Sequence, residues 1–399
     1  MEDNYMGDFI SLIKISPENN NNRYYRMINK GSYFQIETGR VGARPVTNVR
    51  PIGLWQATLD AKLKEGYVDR SDCTETFKNV KTNYKPIPDK NVDALIHDLM
   101  HYANRTLETS YTVTYQETSA TMIEKAQEAL SNLSRLQDLD AFNLELCNFF
   151  TIIPRKMKDV LAMLAKDTSD FSAIIERERE LLEVMETKVS QQARLSEKSY
   201  EKSYAHDVTI LEALGLKIRP CTEKEEEQIR KHLTKESESL FKRAFRVNNL
   251  KTDKEFKDYC KKTGAKTHYY YHGSKNANYM GIISEGLKLH PNAPITGKMF
   301  GYGLYFAPRA KKSIGYTSLR GSYWAGGHSH QAYLAVYKVA YKNERNVQKW
   351  DSSMSSLNIH SIRPYDALYA HAGADLLNDE IIVYGEQQTT IQYLIELKM

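Results

Sequence analysis

Six side chains able to do chemistry stand at the ends of short segments in the C-terminal half: His272, Tyr305, Lys312, Ser313, Tyr316 and Glu380. Glu380 opens a strongly apolar run, Ile381 to Tyr384, so its carboxylate sits at the mouth of a buried strand. His272 lies in the polar turn His272-Gly273-Ser274, directly after three tyrosines. A carboxylate met there by histidine, serine and tyrosine from other segments has the makings of an active site that holds protons and stabilises developing charge.

The intervening residues supply the elements that would position this set. Tyr269 to Tyr271 reads as an aromatic strand, followed by a helix-like segment with Ile282, Ile283 and Leu287 on one face. Gly301 and Gly303 bracket a tight bend into a second aromatic strand, Leu304 to Phe306, and a short basic helix follows from Pro308 to Tyr316. FGYGLYF lacks the GxGxxG spacing that cradles a dinucleotide phosphate, so no Rossmann fold is expected. His328 and His330 in GGHSH have no Cys or Asp close in sequence and read as surface loop, so no metal is expected.

Bulk properties bound the class. The chain has 399 residues, 41% of them hydrophobic, enough for two or three domains with cores of their own. Formal net charge is +5, and residues 23–70 carry nine Lys/Arg against four Asp/Glu, so that region alone accounts for the excess. Arg40, Arg44 and Arg50 are spaced there to meet nucleic-acid phosphates, contacts that position without reading sequence. Cys73, Cys147, Cys221 and Cys260 form neither a CxxC pair nor a disulfide framework. With a polar start, Met1-Glu-Asp-Asn, and no apolar run near ~20 residues, the expectation is an intracellular protein without membrane contact. Its compartment would be the nucleus in a eukaryote, or the cytoplasm or nucleoid in a prokaryotic or viral setting.

Taken in order, residues 1–80 read as β-rich, with short strands from Arg23 to Ile28, from Gly31 to Glu37 and after Arg40. A helix over Trp55–Lys64 follows, with Leu54, Ala57, Leu59 and Leu63 as its apolar face. Residues 81–90 read as a linker. Residues 91–192 contain one Pro and no Gly and show helical periodicity: Leu95, Leu99 and Tyr102; Met122, Ala126, Leu130, Leu133 and Leu136; Phe142 to Phe150; and Ala173 to Val189. A second linker is expected over 193–207. Beyond it come a strand entry near residue 216, a helix capped by Thr222 and Glu225, a strand before residue 248, and strands Gln331–Ala340 and Ile391–Leu397. The fold class is therefore multidomain α+β: a small β-rich domain (1–80), an all-α bundle (91–192) and an α+β split-sheet domain (205–399).

HGS, FGYGLYF, the KS…Y helix and NDEIIVY, in this order, resemble the catalytic domain of the poly(ADP-ribose) polymerases. The N-terminal YYRMINKGSYFQIETGRVGA resembles a WGR domain in which Thr38 replaces the naming tryptophan, and NFFTIIP resembles a turn of that family's helical regulatory domain. The resemblance implies NAD as substrate, bound by His272, Gly273, Ser274, Asn278, Gly281, Lys288, Tyr305, Lys312, Ser313 and Tyr316. Gly273 and Ser313 would meet the nicotinamide amide, Tyr305 and Tyr316 would enclose its ring, and Lys288 stands where the family often has Arg. Glu380, with His272 and Tyr305, would be catalytic, and Glu183 would lie near the adenine ribose. It further implies DNA-stimulated poly(ADP-ribosyl)ation, with nicked or broken DNA and protein acceptors, the chain itself among them, as partners. Two alternatives stand beside that reading: single ADP-ribose transfer or NAD hydrolysis, and a DNA-binding signalling protein with a vestigial catalytic domain.

Overall fold

A computed structural model describes residues 8–71, 84–200, 208–289, 299–323, 325–373 and 375–399. Among these residues two compact units form, one from residues 8–71 and 105–189, the other from residues 84–104 and the described residues from 190 onward.

The first unit begins with an antiparallel sheet of β1 (Phe9–Ser16), β2 (Asn21–Asn29), β3 (Tyr33–Arg40), β4 (Val46–Pro51) and β5 (Val68–Asp69), in the order β4-β3-β2-β1-β5. Helix α1 (Trp55–Lys64) covers one face. Its inward residues differ from the expected stripe: Leu54 and Leu63 are exposed, while Trp55 and Thr58 are buried. Trp55 sets this orientation by packing edge-on against Phe34 with ring centroids 5.3 Å apart. The helical part comprises α2 (Lys90–Ser110), α3 (Ala120–Leu133), α4 (Leu139–Ile152) and α5 (Phe171–Tyr200), and the unit division falls within α2 and within α5. Leu136 lies beyond the end of α3, which closes at Ser134. The expected linker at 193–207 is helical as far as Tyr200, and its remainder lies outside the described residues. Residues 81–83 of the first linker lie outside them as well.

Two guanidinium groups tie the sheet to α4 and to the segment after it. Arg40 donates to the carbonyls of Asn20, Met157 and Lys158, and Arg70 donates to Asn148 and Thr151. Asn22 adds a bond to the Arg155 carbonyl. The Arg155 side chain then lies 3.1 Å from the fully buried Glu178 of α5 and over the ring of Tyr111.

The second unit continues with α6 (Ile210–Ala213), β6 (Leu216–Pro220), α7 (Glu223–Lys231), α8 (Lys235–Glu238), β7 (Phe241–Asn249), α9 (Leu250–Thr263), β8 (Lys266–Gly273), α10 (Tyr279–Glu285), β9 (Leu304–Phe306), α11 (Ala310–Ile314), β10 (Gln331–Tyr341), β11 (Glu344–Val347), β12 (Ala367–Ala370), β13 (Glu380–Val383) and β14 (Thr389–Lys398). Thr222 and Glu225 form the expected reciprocal cap on α7. The strands make two sheets, β6-β7-β14-β10-β8 and β11-β12-β13-β9. Between them lies one core: Tyr270, Tyr337 and Leu394 from the first sheet, Leu304, Phe306, Ile381 and Val383 from the second. Val92, Leu95, Ile96 and Leu99 of α2 belong to this same core. On the outer face of the second sheet, Ile382 and Tyr384 pack with Phe300, Leu357 and Leu368.

Candidate active site

The site forms where the two sheets meet. Tyr271 at the end of β8 exchanges two backbone hydrogen bonds with Ala307 just past β9, at 2.8 and 3.0 Å. This bridge fixes the neighbours on each side, His272 and Phe306, whose rings lie 5.8 Å apart. His272 Nδ1 is 3.0 Å from the Tyr305 carbonyl. A carbonyl only accepts, so Nδ1 carries a proton and donates.

Strand periodicity aims the carboxylate. Tyr305 pairs with Ile382 across β9 and β13, and side chains alternate along a strand, so Glu380, Ile382 and Tyr305 share one face. Glu380 forms an ion pair with Lys312 of α11, and both side chains are largely buried. Lys312 also reaches the Asn378 carbonyl at 3.4 Å, holding the approach to β13. The Glu380 charge acts on both tyrosines: burial first, then this carboxylate, pushes the Tyr316 hydroxyl up to about 12. Burial, with a smaller contribution from Glu380, also raises that of Tyr305. Both phenols are therefore neutral at pH 7 and act as surfaces and donors.

Tyr305 is anchored at its far end, where its hydroxyl donates to the Gly301 carbonyl and accepts from the Phe300 amide, each at 3.0 Å. That loop needs glycine: Gly301 has φ +75°, and a Cβ there would meet Leu357 backbone at 2.2 Å.

Gly273 has a different reason to be glycine from nicotinamide access alone. A Cβ on it would stand 1.7 Å from the Ser313 carbonyl oxygen, so its absence lets α11 lie against the end of β8. Ser313, buried, donates its hydroxyl to the Tyr271 carbonyl at 3.0 Å, bracing the same junction.

On the other side of His272, Asn278 donates to the Ser274 hydroxyl, and the Ser274 amide donates to Tyr279 Oη. Gly281 is buried within α10. Lys288 pairs with Glu386 at 3.0 Å, so its charge is shared with a carboxylate rather than presented alone. His272, Tyr305, Lys312, Ser313, Tyr316 and Glu380 thus converge, while Ser274 and Asn278 form one adjoining turn. Glu183, in the other unit, is ion-paired with Arg179. Sequence reasoning passed over Asn276, which reads as one more polar turn residue yet is buried. No group of three or more metal-ligating side chains occurs among the described residues. No helix among them is long and apolar enough to cross a membrane.

Residues 223–325 match the poly(ADP-ribose) polymerase catalytic domain, a span that carries α7 to α11 and the site residues from His272 to Tyr316 but not Glu380. The chain is 32% identical over 156 residues to uncharacterized protein 101L of Invertebrate iridescent virus 6, covering 38% of this chain and 65% of that protein. It is 29% identical to the putative poly [ADP-ribose] polymerase-like 100L of the same virus, over 38% of this chain and 83% of the relative. To the Drosophila melanogaster poly [ADP-ribose] polymerase it is 32% identical over 39% of this chain, spanning only 17% of that enzyme. Residues 223–325 are thus similar to the poly(ADP-ribose) polymerase catalytic domain, and the chain spans less than two thirds of the length of the uncharacterized viral protein and only 17% of the fly enzyme.

Proposed function

We propose that the protein is an NAD-dependent ADP-ribosyltransferase that builds poly(ADP-ribose) on protein acceptors and is stimulated by DNA. The observation that carries the chemistry is the Lys312–Glu380 pair, whose carboxylate acts on Tyr305 and Tyr316, with His272 bonded to the Tyr305 carbonyl. In the reaction, the bond between nicotinamide and ribose breaks and its electron pair leaves with nicotinamide. Positive charge develops on the ribose, an acceptor oxygen bonds to the same carbon, and that oxygen loses its proton.

Glu380 supplies negative charge where the cation forms and accepts from a ribose hydroxyl. Lys312 pairs with that carboxylate and fixes it in place. His272 hydrogen-bonds a ribose hydroxyl on the adenine side, and the two tyrosine rings enclose nicotinamide. Incubation with labelled NAD tests this directly. Label on protein that disappears in Glu380→Gln supports the reading; no label with the folded wild type refutes it. A ladder of products indicates polymer, whereas one discrete shift supports single transfer.

The DNA part of the proposal rests on Arg44 and Arg50, both exposed beside and on β4. Arg40, whose guanidinium is engaged by protein carbonyls, would act by holding the sheet to the turn after α4. Arg44→Ala and Arg50→Ala should each weaken binding to nicked DNA and lower its salt dependence by about one counterion. The helical region is proposed to restrain the site. Gln191 and Arg194 of α5 bond Ser284 and Glu285 of α10, the helix that follows the Ser274–Asn278 turn. Gln191→Ala and Arg194→Ala, which remove these bonds and leave the α2 residues of the shared core intact, should raise labelling in the absence of DNA; unchanged labelling refutes restraint through these contacts.

A further inference from the structure

We infer that Asn276 is a positioning residue that sets NAD affinity, by clamping the Ser274–Asn278 turn to the loop between α11 and β10; the inference rests on the NAD reading above. Asn276 is 3% exposed. Its backbone N–H donates to Ser318 Oγ at 2.9 Å, and its side-chain Nδ2 donates to the Gln331 carbonyl at 2.9 Å. Since Nδ2 faces a carbonyl, the side-chain amide has one orientation, and its Oδ1 is buried without a hydrogen-bond partner among the described residues.

The receiving segment is braced by backbone hydrogen bonds. The Ser329 amide donates to the Ser318 carbonyl at 2.9 Å, and the Arg320 amide donates back to the Ser329 carbonyl at 2.8 Å. Gly327 fits against Ser318 and Leu319 so closely that a Cβ would approach their backbone to 2.3–2.4 Å. Gln331 begins β10, which is paired in register with β8 up to Gly273. Asn276 therefore joins the turn to two fixed points, one in a braced loop and one on the strand beside His272. Ser274 and Asn278 lie two residues to either side and bond each other. Their placement relative to His272 follows from this clamp, whereas Glu380 and Lys312 approach from other elements. A loss confined to Asn276 should accordingly be felt in binding more than in the chemical step.

The test is steady-state kinetics of full-length Asn276→Ala, Ser318→Ala and Ser318→Thr, together with amide hydrogen exchange of the 274–278 segment. Asn276→Ala and Ser318→Ala should each raise KM for NAD roughly three- to tenfold, the equivalent of one neutral hydrogen bond, with kcat changed less than twofold. Ser318→Thr, which keeps the hydroxyl, should retain wild-type KM. Ser318→Ala should also speed exchange at the Asn276 amide. Unchanged KM in both alanine variants, or equal falls in kcat and kcat/KM, would overturn the proposal. If folded wild type does not turn over NAD, the functional reading fails by itself, and exchange decides the clamp: faster exchange in Ser318→Ala upholds it and unchanged exchange refutes it.

Discussion

Gly273→Ala offers the sharpest test of how the site is built. The added Cβ would lie 1.7 Å from the Ser313 carbonyl oxygen, 2.6 Å from its carbonyl carbon and 3.3 Å from its Cα. All three are backbone atoms, so no rotamer change relieves the clash. Contacts of this kind are not found below about 3.0 Å, which requires a shift of at least about 1.3 Å between the end of β8 and α11. β8 is held by its ladder to β10, so α11 is the element that moves. It carries Ser313, bonded to Tyr271, and Lys312, paired with Glu380. Displacing catalytic groups by about 1 Å lowers rates about 10²-fold, and overpacking costs about 1–3 kcal/mol. The expected result is a kcat/KM for NAD reduced about 100-fold, with a modest fall in melting temperature. Gly373→Ala, where the nearest atom is 3.8 Å away, is the control and should be neutral. Turnover by Gly273→Ala within about threefold of wild type would refute the argument that this glycine sets the junction.

Other expectations follow from charges the fold encloses. Glu380→Gln should lower kcat about 10²–10³-fold with a smaller change in KM, as expected for a charge that acts mainly in the transition state; a selective rise in KM would contradict that role. Glu178, fully buried, is paired with Arg155 and Arg177, and Glu178→Gln should cost about 3–5 kcal/mol in equilibrium denaturation. Replacing both Glu178 and Arg155 by apolar residues should recover much of that loss, and a single variant losing under about 1 kcal/mol would refute the pairing argument. Lys188, buried over the Tyr115 ring, has its pKa pushed by burial from the ordinary 10.5 down to about 8. The unfolded chain then binds the extra proton between about pH 8 and 10.5, so stability rises across that window and the charging penalty is fully present below it. Lys188→Met should stabilise the protein at pH 7 by at most about 3 kcal/mol, with the gain vanishing as pH passes 10.5; a gain independent of pH would mean that packing, not charge, is responsible.

Which of these features could be read from the residues depended on whether a local rule or a distant partner decided them. The strand Leu304–Phe306 and the helix Trp55–Lys64 have the bounds that aromatic and helical spacing indicated, because short-range periodicity sets both. Strand β1 was not marked out individually. It lies between β2 and β5 with Ser11, Leu12 and Ile13 all buried, so covering both faces erases the alternation a reader looks for. Of the apolar residues expected on α1, Leu59 packs against the sheet core, whereas Leu54, Ala57 and Leu63 are exposed because one large residue, Trp55, meeting Phe34, chose the orientation.

The site shows the same division. His272, Tyr305 and Glu380 were visible through motif order, but the reason they meet is the Tyr271–Ala307 bridge, between residues 36 positions apart with nothing in their types to announce it. Gly273 was legible as a glycine that something must approach closely, and sequence alone could not say that the approaching group is the Ser313 carbonyl of the protein itself. Asn276 was invisible for the complementary reason. Asparagine in a turn is usually solvated, and only its burial against Ser318 and Gln331 turns an ordinary turn residue into the point where three segments are held together. Motifs name the groups that touch substrate; the residues that set distances between motifs are those whose partners lie far along the chain, and it is on them that the site's precision depends.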